Sequence, residues 1–306
     1  MKPSTIAVII ILGVVYLALR IADRARLKHD QKGEPQTFVI PHEIDGKPIG
    51  ELTEEIVDEF QDATKIVIPD TVTSLGENVF AYFSLTSVEI PNSVTSIGES
   101  AFEGCDNLTS VEIPDSVTSI GEFAFGCCEN LTSVVIPNSV KSIGDEAFYG
   151  CKNLTSVEIP NSVTSIGEGA FGGCGKLKTI ETSSSNANFQ TIDGVLFTKD
   201  GKTLLAVPGG KEGKYSIPDS VTSIGDCAFE DCKSLTSVVI PNSVTSIGES
   251  AFEDCASLTS VEIPDSVTSI GDCAFADCAS LTSVEIPASV KLGKDVFPVS
   301  CRVVRK

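Results

Sequence analysis

Ile113–Val135 reads IPDSVTSIGEFAFGCCENLTSVV. Part of it belongs to the string TSVEIPDSVTSIG, which occurs twice letter for letter, at Thr109–Gly121 and Thr259–Gly271. The Ile-Pro prolines mark a register through the chain: 69, 91, 114, 137, 160, 218, 241, 264 and 287. Their steps are 22, 23, 23, 23, 58, 23, 23 and 23, and since 58 is 23 plus 35, one interval hides a 35-residue insertion. A fixed period of this length signals a repeat architecture. One unit cannot bury its apolar face alone, so neighbours must stack in register.

Within a unit the apolar residues Leu131, Val134, Ile136, Val140 and Ile143 give LxxVxIxxxVxxI, followed by Ala147-Phe148 and Cys151. This is the leucine-rich-repeat pattern, with a short strand at LxxVxI. β-branched Val and Ile favour that strand, and Pro114 and its equivalents end it because proline donates no ladder hydrogen bond. Gly121 and its equivalents are expected to permit a tight corner. Ala124-Phe125 supply a small and a large residue to each layer, and the Ser and Thr hydroxyls are available to bond turn backbone.

The unit LTSVEIPDSVTSIGEFAFGCCEN resembles the BspA-like leucine-rich repeat, with its LxxIxLPxxLxxIxxxAFxxCxx signature. IPHEIDGKPIGEL from Ile40 is similar to that family's opening repeat, and IDGVLFTKDGKTLLAVPGG (Ile192–Gly210) to its nested hairpin variant. The resemblance covers about residues 40–301. It implies a surface-associated protein that binds host or matrix proteins. The chain departs from the pattern at Glu51–Ala63, where ELTEEIVDEFQDA reads as a short helix, and in the truncated unit from Ile286. Both are places where capping is expected.

The expected fold is therefore mainly β, a leucine-rich-repeat solenoid of about ten 22–23-residue units with an inserted β-hairpin, preceded by one N-terminal transmembrane helix. The divisions are a tail (1–4), an apolar segment (5–22), a basic linker (23–39), a diverged capping repeat (40–67), an array (68–181), an inserted loop and hairpin (182–216), and a second array with its cap (217–306). The hairpin expectation rests on VLFT-KDGK-TLLAV alternating around Asp200-Gly201. It is read as a folded decoration on one edge, or alternatively as a protruding contact element.

Thr5–Leu19 is fifteen residues without a charge, followed by Arg20, Arg24, Arg26 and Lys28. An uncleaved anchor over 5–22 is preferred, because no small-x-small cleavage site follows. A cleaved signal peptide and a buried core helix are the alternatives. The flanking charge would leave the solenoid on the cytoplasmic side, whereas the family resemblance points outside, and the outside is favoured. The net charge of −20 is uneven: residues 1–39 carry six Lys/Arg against three Asp/Glu, +3, leaving −23 on the rest. So acidic a body repels phosphate backbones and argues against nucleic acid.

Eight of the eleven cysteines (105, 128, 151, 174, 232, 255, 278 and 301) keep one repeat position, so a ladder of buried thiols is expected ahead of disulfides or metal binding. Cys127, Cys227 and Cys273 fall outside it and are the more exposed. His29 and His42 have no repeat-based partner, and no catalytic triad, Walker loop or zinc spacing is present, so an enzyme is not indicated and no cofactor or metal is expected. Acidic pairs such as Glu253-Asp254 read as solvated loops before weak calcium sites. Asn107, Asn130 and Asn153 open N-glycosylation sequons that recur with the repeat. What remains is the outward side of the strands: Ser110 and Glu112, Ser156 and Glu158, Thr179 and Glu181, Ser260 and Glu262, Ser283 and Glu285. This acidic, hydroxyl-rich stripe, interrupted by Val135 and Val239, is the candidate protein-contact face; the competing reading is a solubilising surface. A protein partner, with membrane contact through the N-terminal segment, makes a recognition or adhesion protein. A spacer or coat solenoid without a ligand, and a cytoplasm-facing scaffold, are the alternatives.

Overall fold

The computed structural model describes residues 37–57, 60 and 63–306. The expected anchor, linker and His29 lie outside them, and no helix among the described residues is long and apolar enough to cross a membrane. The chain winds into a mainly β solenoid of about eleven turns, one more than the ten units expected.

Each turn contributes two short strands on different sides. The first, at SVE, pairs in parallel with the turn before, as Ser133 does with Ser110 and Val134 with Val111. The second, at SI, builds a six-stranded parallel ladder from Glu51–Leu52 to Ser165–Ile166. A seven-stranded sheet continues from Phe189–Ile192 to Lys291–Leu292. Alternation sets the facing: in Ser110–Glu112 the outer residues are exposed and Val111 is buried. Pro114 sits in a turn closed by the Val117 N–H donating to its carbonyl at 3.0 Å.

The interior is a set of ladders. Phe80, Phe102, Phe125, Phe148 and Phe171 stack with centroids 5.2–5.7 Å apart, and Phe229, Phe252, Phe275 and Phe297 resume at 4.5–5.3 Å. Offset stacking at the layer spacing fits the favoured geometry for aromatic pairs. Beside the rings run the thiols. Cys105, Cys128, Cys151, Cys174, Cys232, Cys255 and Cys278 are buried, while Cys301 in the last turn is only half-buried. Cys128 Sγ donates to the Phe102 carbonyl of the previous layer at 3.1 Å, and Cys105, Cys151 and Cys174 likewise donate to the carbonyls of Phe80, Phe125 and Phe148 at 3.1–3.2 Å. All eleven sulfurs are free thiols. Burial pushes Cys105 and Cys174 up to about 12, so the inert protonated form dominates at neutral pH.

The Gly121 position has a different role from the corner expected. Its φ is ordinary, but a Cβ there would lie 2.6 Å from the Gly98 backbone. Gly144 and Gly271 meet the preceding layer at 2.5 Å. The glycine column exists because backbones stack directly on backbones. The left-handed corners fall elsewhere, before the Ala-Phe pair (Ser100, φ 51°; Cys227, φ 52°) and before the ladder cysteine (Gly104, φ 65°; Asp254, φ 56°). Asp254 is thus a turn residue, since Asp tolerates this region better than most, which accounts for the acidic pair at 253–254.

The termini are closed differently. Glu43–Ile44 and Lys47–Pro48 form a hairpin over Asp45 and Gly46, both at positive φ (52° and 75°), the geometry of a type I′ turn. Within the segment read as a short helix, Glu51–Leu52 is a strand of the ladder and Glu54–Val57 is a four-residue helix. At the far end Arg302–Arg305 pairs with Ser283–Ile286, and Arg305 Nη1 donates to the carbonyls of Ala288 and Val290 at 2.8 and 3.2 Å.

The insertion is more than one hairpin on an edge. Val195–Thr198 pairs antiparallel with Thr203–Ala206 across Asp200-Gly201, and also with Phe189–Ile192 across Asp193-Gly194. Thr203–Ala206 then pairs in parallel with Ser223–Ile224, starting the second ladder. Val195, Leu196, Phe197 and Leu204 are at most 1% exposed, so the segment is core rather than decoration. Gly213–Ser216, inside the stretch read as inserted, is already a regular array strand paired with Leu235–Val239.

Gly121→Ala should lower stability by about 1–3 kcal/mol in urea unfolding, because overpacking here meets backbone that cannot yield. Gly50→Ala, with nothing within 4 Å of its Cβ, should stay within about 0.5 kcal/mol. Iodoacetamide on the native protein should label half-buried Cys127 and Cys273 before any of the seven buried thiols, whose modification should need denaturant; peptide mass mapping reads the order.

Candidate functional site

The SVE strands hold their outward side chains one layer apart, close to the strand spacing of about 4.8 Å. Ser110 lies beside Ser133, and Glu112 beside Val135. Ser156 pairs with Thr179 and Glu158 with Glu181. Together these strands floor a groove of about 1270 Å³ lined by Ser110, Glu112, Ser133, Val135, Ser156 and Glu158, with Asn92, Asp115 and Asn138 among the turn residues at its rim. Val135 is 71% exposed at its middle, between glutamates one layer away on either side.

The candidate stripe is not one continuous column. Ser110, Glu112, Ser156 and Glu158 share the groove, and Thr179 and Glu181 continue it by strand pairing. After Thr179–Thr182 the insertion takes the next place, with the Ile180 N–H donating to the Gly194 carbonyl at 3.0 Å. Ser260, Glu262, Ser283 and Glu285 therefore belong to a second stretch. There Glu262 pairs with Val239 and Glu285 with Val304.

Sequence reasoning missed Glu89, which lines the groove and forms an ion pair with Lys65 at 2.6 Å. The signal was present, because SVEIP recurs at Ser87–Pro91. It also passed over Ser133, whose strand was set aside with Val135. The sequon asparagines have structural work: Asn130 and Asn153 donate Nδ2 to the carbonyls of Asp106 and Glu129 in the previous layer at 2.7 and 2.8 Å. His42 sits on the surface with Nδ1 3.3 Å from Asp70. Among the described residues no group of three or more His, Cys, Asp or Glu is placed to hold a metal ion.

The solvent-open groove mixes serines and glutamates with valines, isoleucines and turn prolines. What it offers is shape, hydroxyl hydrogen bonding, negative potential and an apolar floor on which Val135 is the most exposed side chain, which are the means of macromolecular recognition.

The family model described as BspA type leucine rich repeat region matches residues 58–140 and 213–304, in six copies. No curated protein matches. Among solved structures, a leucine rich cell surface protein from Faecalibacterium prausnitzii is 29% identical with TM-score 0.65, over 88% of this chain and 92% of that one. The pneumococcal vaccine antigen PcpA shares the fold at 23% identity and TM-score 0.76, over 87% of this chain and 69% of that one. A leucine-rich repeat protein from Eubacterium ventriosum does so at 22% and 0.51, over 83% and 81%.

Proposed function

We infer that this chain, which belongs to the BspA-type leucine-rich-repeat family, is a non-enzymatic surface protein that recognises a protein partner through the groove around Val135. The observation that carries this reading is the arrangement of that residue. Val135, 71% exposed on the floor of the groove, offers a partner an apolar contact that the interior does not use, since its inward neighbour Val134 already fills the layer. Glu112 and Glu158 stand one layer to each side, so the groove is complementary to a basic surface with an apolar side chain at its centre.

Surface display is supported by the F. prausnitzii protein, which is described as a cell surface protein. The apolar segment 5–22 is taken as the membrane attachment, with the solenoid outside and host or matrix proteins as the partner class.

The full chain, immobilised, is offered host-matrix protein extracts, and each captured protein is then measured against Glu112→Lys/Val135→Glu/Glu158→Lys. Affinity should fall at least about tenfold, roughly 1.4 kcal/mol, and wild-type association should slow as salt rises. Glu99→Lys, exposed away from the groove, serves as the control. All four positions are exposed, so unfolding midpoints should stay within about 0.5 kcal/mol of wild type. Capture that is indifferent to the groove substitutions overturns the site. No capture at all, with envelope integrity lost on deletion, favours the spacer. Protease that reaches the solenoid only after the membrane is broken overturns the outward orientation.

A further inference from the structure

The two arrays do not share one interior. Leu196 packs in the N-terminal apolar cluster, with the residues up to Ile180, while its neighbours Val195 and Phe197 pack in the C-terminal one. The phenylalanine ladder stops at Phe171 and resumes at Phe229. At this seam the turn Gly167–Gly175 reads GEGAFGGCG, with glycine at 167, 169, 172, 173 and 175.

Those glycines leave space that two side chains use. Tyr149, from the turn before, reaches past them and donates its hydroxyl to Glu230 Oε1 at 2.6 Å, across 81 residues of sequence. Glu230 is 9% exposed, and its second oxygen has no hydrogen-bond partner. A Cβ on Gly172 would stand 2.9 Å from both that oxygen and Cys227 Cβ, so only glycine leaves room for the contact. The titratable groups facing the carboxyl are Glu146 from the Tyr149 side, Cys227 from its own turn and Glu253 from the next. None is a cation, so an ionised Glu230 is a buried charge without a counter-ion.

We propose that the buried Glu230 carboxyl, held by Tyr149, is a proton-sensitive clasp between the two arrays: the seam packs tightly while Glu230 is protonated and loosens when it ionises, because burying a carboxylate without a counter-ion outweighs the stronger hydrogen bond it would accept from Tyr149. The Glu230 carboxyl is raised to about 7: burial is the main cause, the Tyr149 hydroxyl and the neighbouring Cys227 thiol oppose it, and Glu253 and Glu146 add to it. Because the folded value lies above the unfolded one, the contribution of Glu230 is full below the ordinary carboxylate range and is lost as pH rises through about 7. The clasp therefore closes in mild acid and eases in the neutral to alkaline range.

Hydrogen exchange on the full chain tests this, with wild type and Glu230→Gln compared at the same pH so that intrinsic exchange chemistry cancels. The reporters are the Val207 and Gly210 amides, which donate to Ala228 and Leu177 on either side of the seam. At pH 8 they should exchange about tenfold faster in wild type than in the variant, and the ratio should shrink toward one at pH 5. Phe102 and Phe125 amides, far from the seam, should show no such ratio. Tyr149→Phe should move the wild-type transition to higher pH, because it removes a hydrogen bond that favours the ionised form; a purely structural contact would not shift the midpoint. If Glu230→Gln fails to fold, carboxyl ¹³C NMR of the wild-type chain reads the titration directly, with a midpoint near 7 expected. Titration of Glu230 in the ordinary carboxylate range, or a seam ratio equal at both pH values, overturns the proposal.

Discussion

The Thr95 carbonyl accepts two hydrogen bonds from the next layer, the N–H of Thr118 at 2.8 Å and its hydroxyl at 3.1 Å. The same double bond recurs from Thr245 to Thr222 and from Thr268 to Thr245. Each layer thus meets its backbone demands through its neighbour, as it buries its leucine, valine and phenylalanine against that neighbour. That close approach requires the glycine column, the threonine hydroxyls and the thiol-to-carbonyl bonds, all at one spacing. A side chain added at Gly121 would part the layers, and every ladder crossing that level would lengthen with them.

This dependence explains why sequence variation is confined to a few positions. Inward residues are held by packing and threonines by the carbonyl they bond. Residues before the ladder cysteine are held by a left-handed turn that favours Gly and Asp. The outward strand positions meet none of these demands. There a valine replaces glutamate at 135 and 239 without disturbing the interior, since Val134 and Val238 stay buried behind them. Freedom from structural duty is what lets this face vary.

The period, the insertion of 35 residues and the inward cysteine column were legible because each rests on recurrence, and recurrence survives without any knowledge of contacts. Ser110, Glu112, Ser156 and Glu158 could be assigned outward from alternation alone. Glu89 was overlooked although its motif was intact. The glycine was misread because a sequence shows a missing side chain without showing what occupies its place. A corner and a backbone-to-backbone contact both call for glycine, and only coordinates separate φ from proximity. The insertion was read as decoration for a related reason: VLFT alternates as a surface hairpin would, but both of its faces are covered by different halves of the core.

The sequence by itself determined the repeat, its register, the inward and outward sides and the acidic character of the body, because these follow from local order along the chain. Tertiary structure decided that the stripe breaks into two stretches at the insertion and that Val135 stands in a groove. It also decided that Tyr149 meets Glu230 across 81 residues. The physical reason is that the last of these depends on which turn stacks on which once the insertion has folded between them. The glycines that open the path carry no side chain to signal a partner.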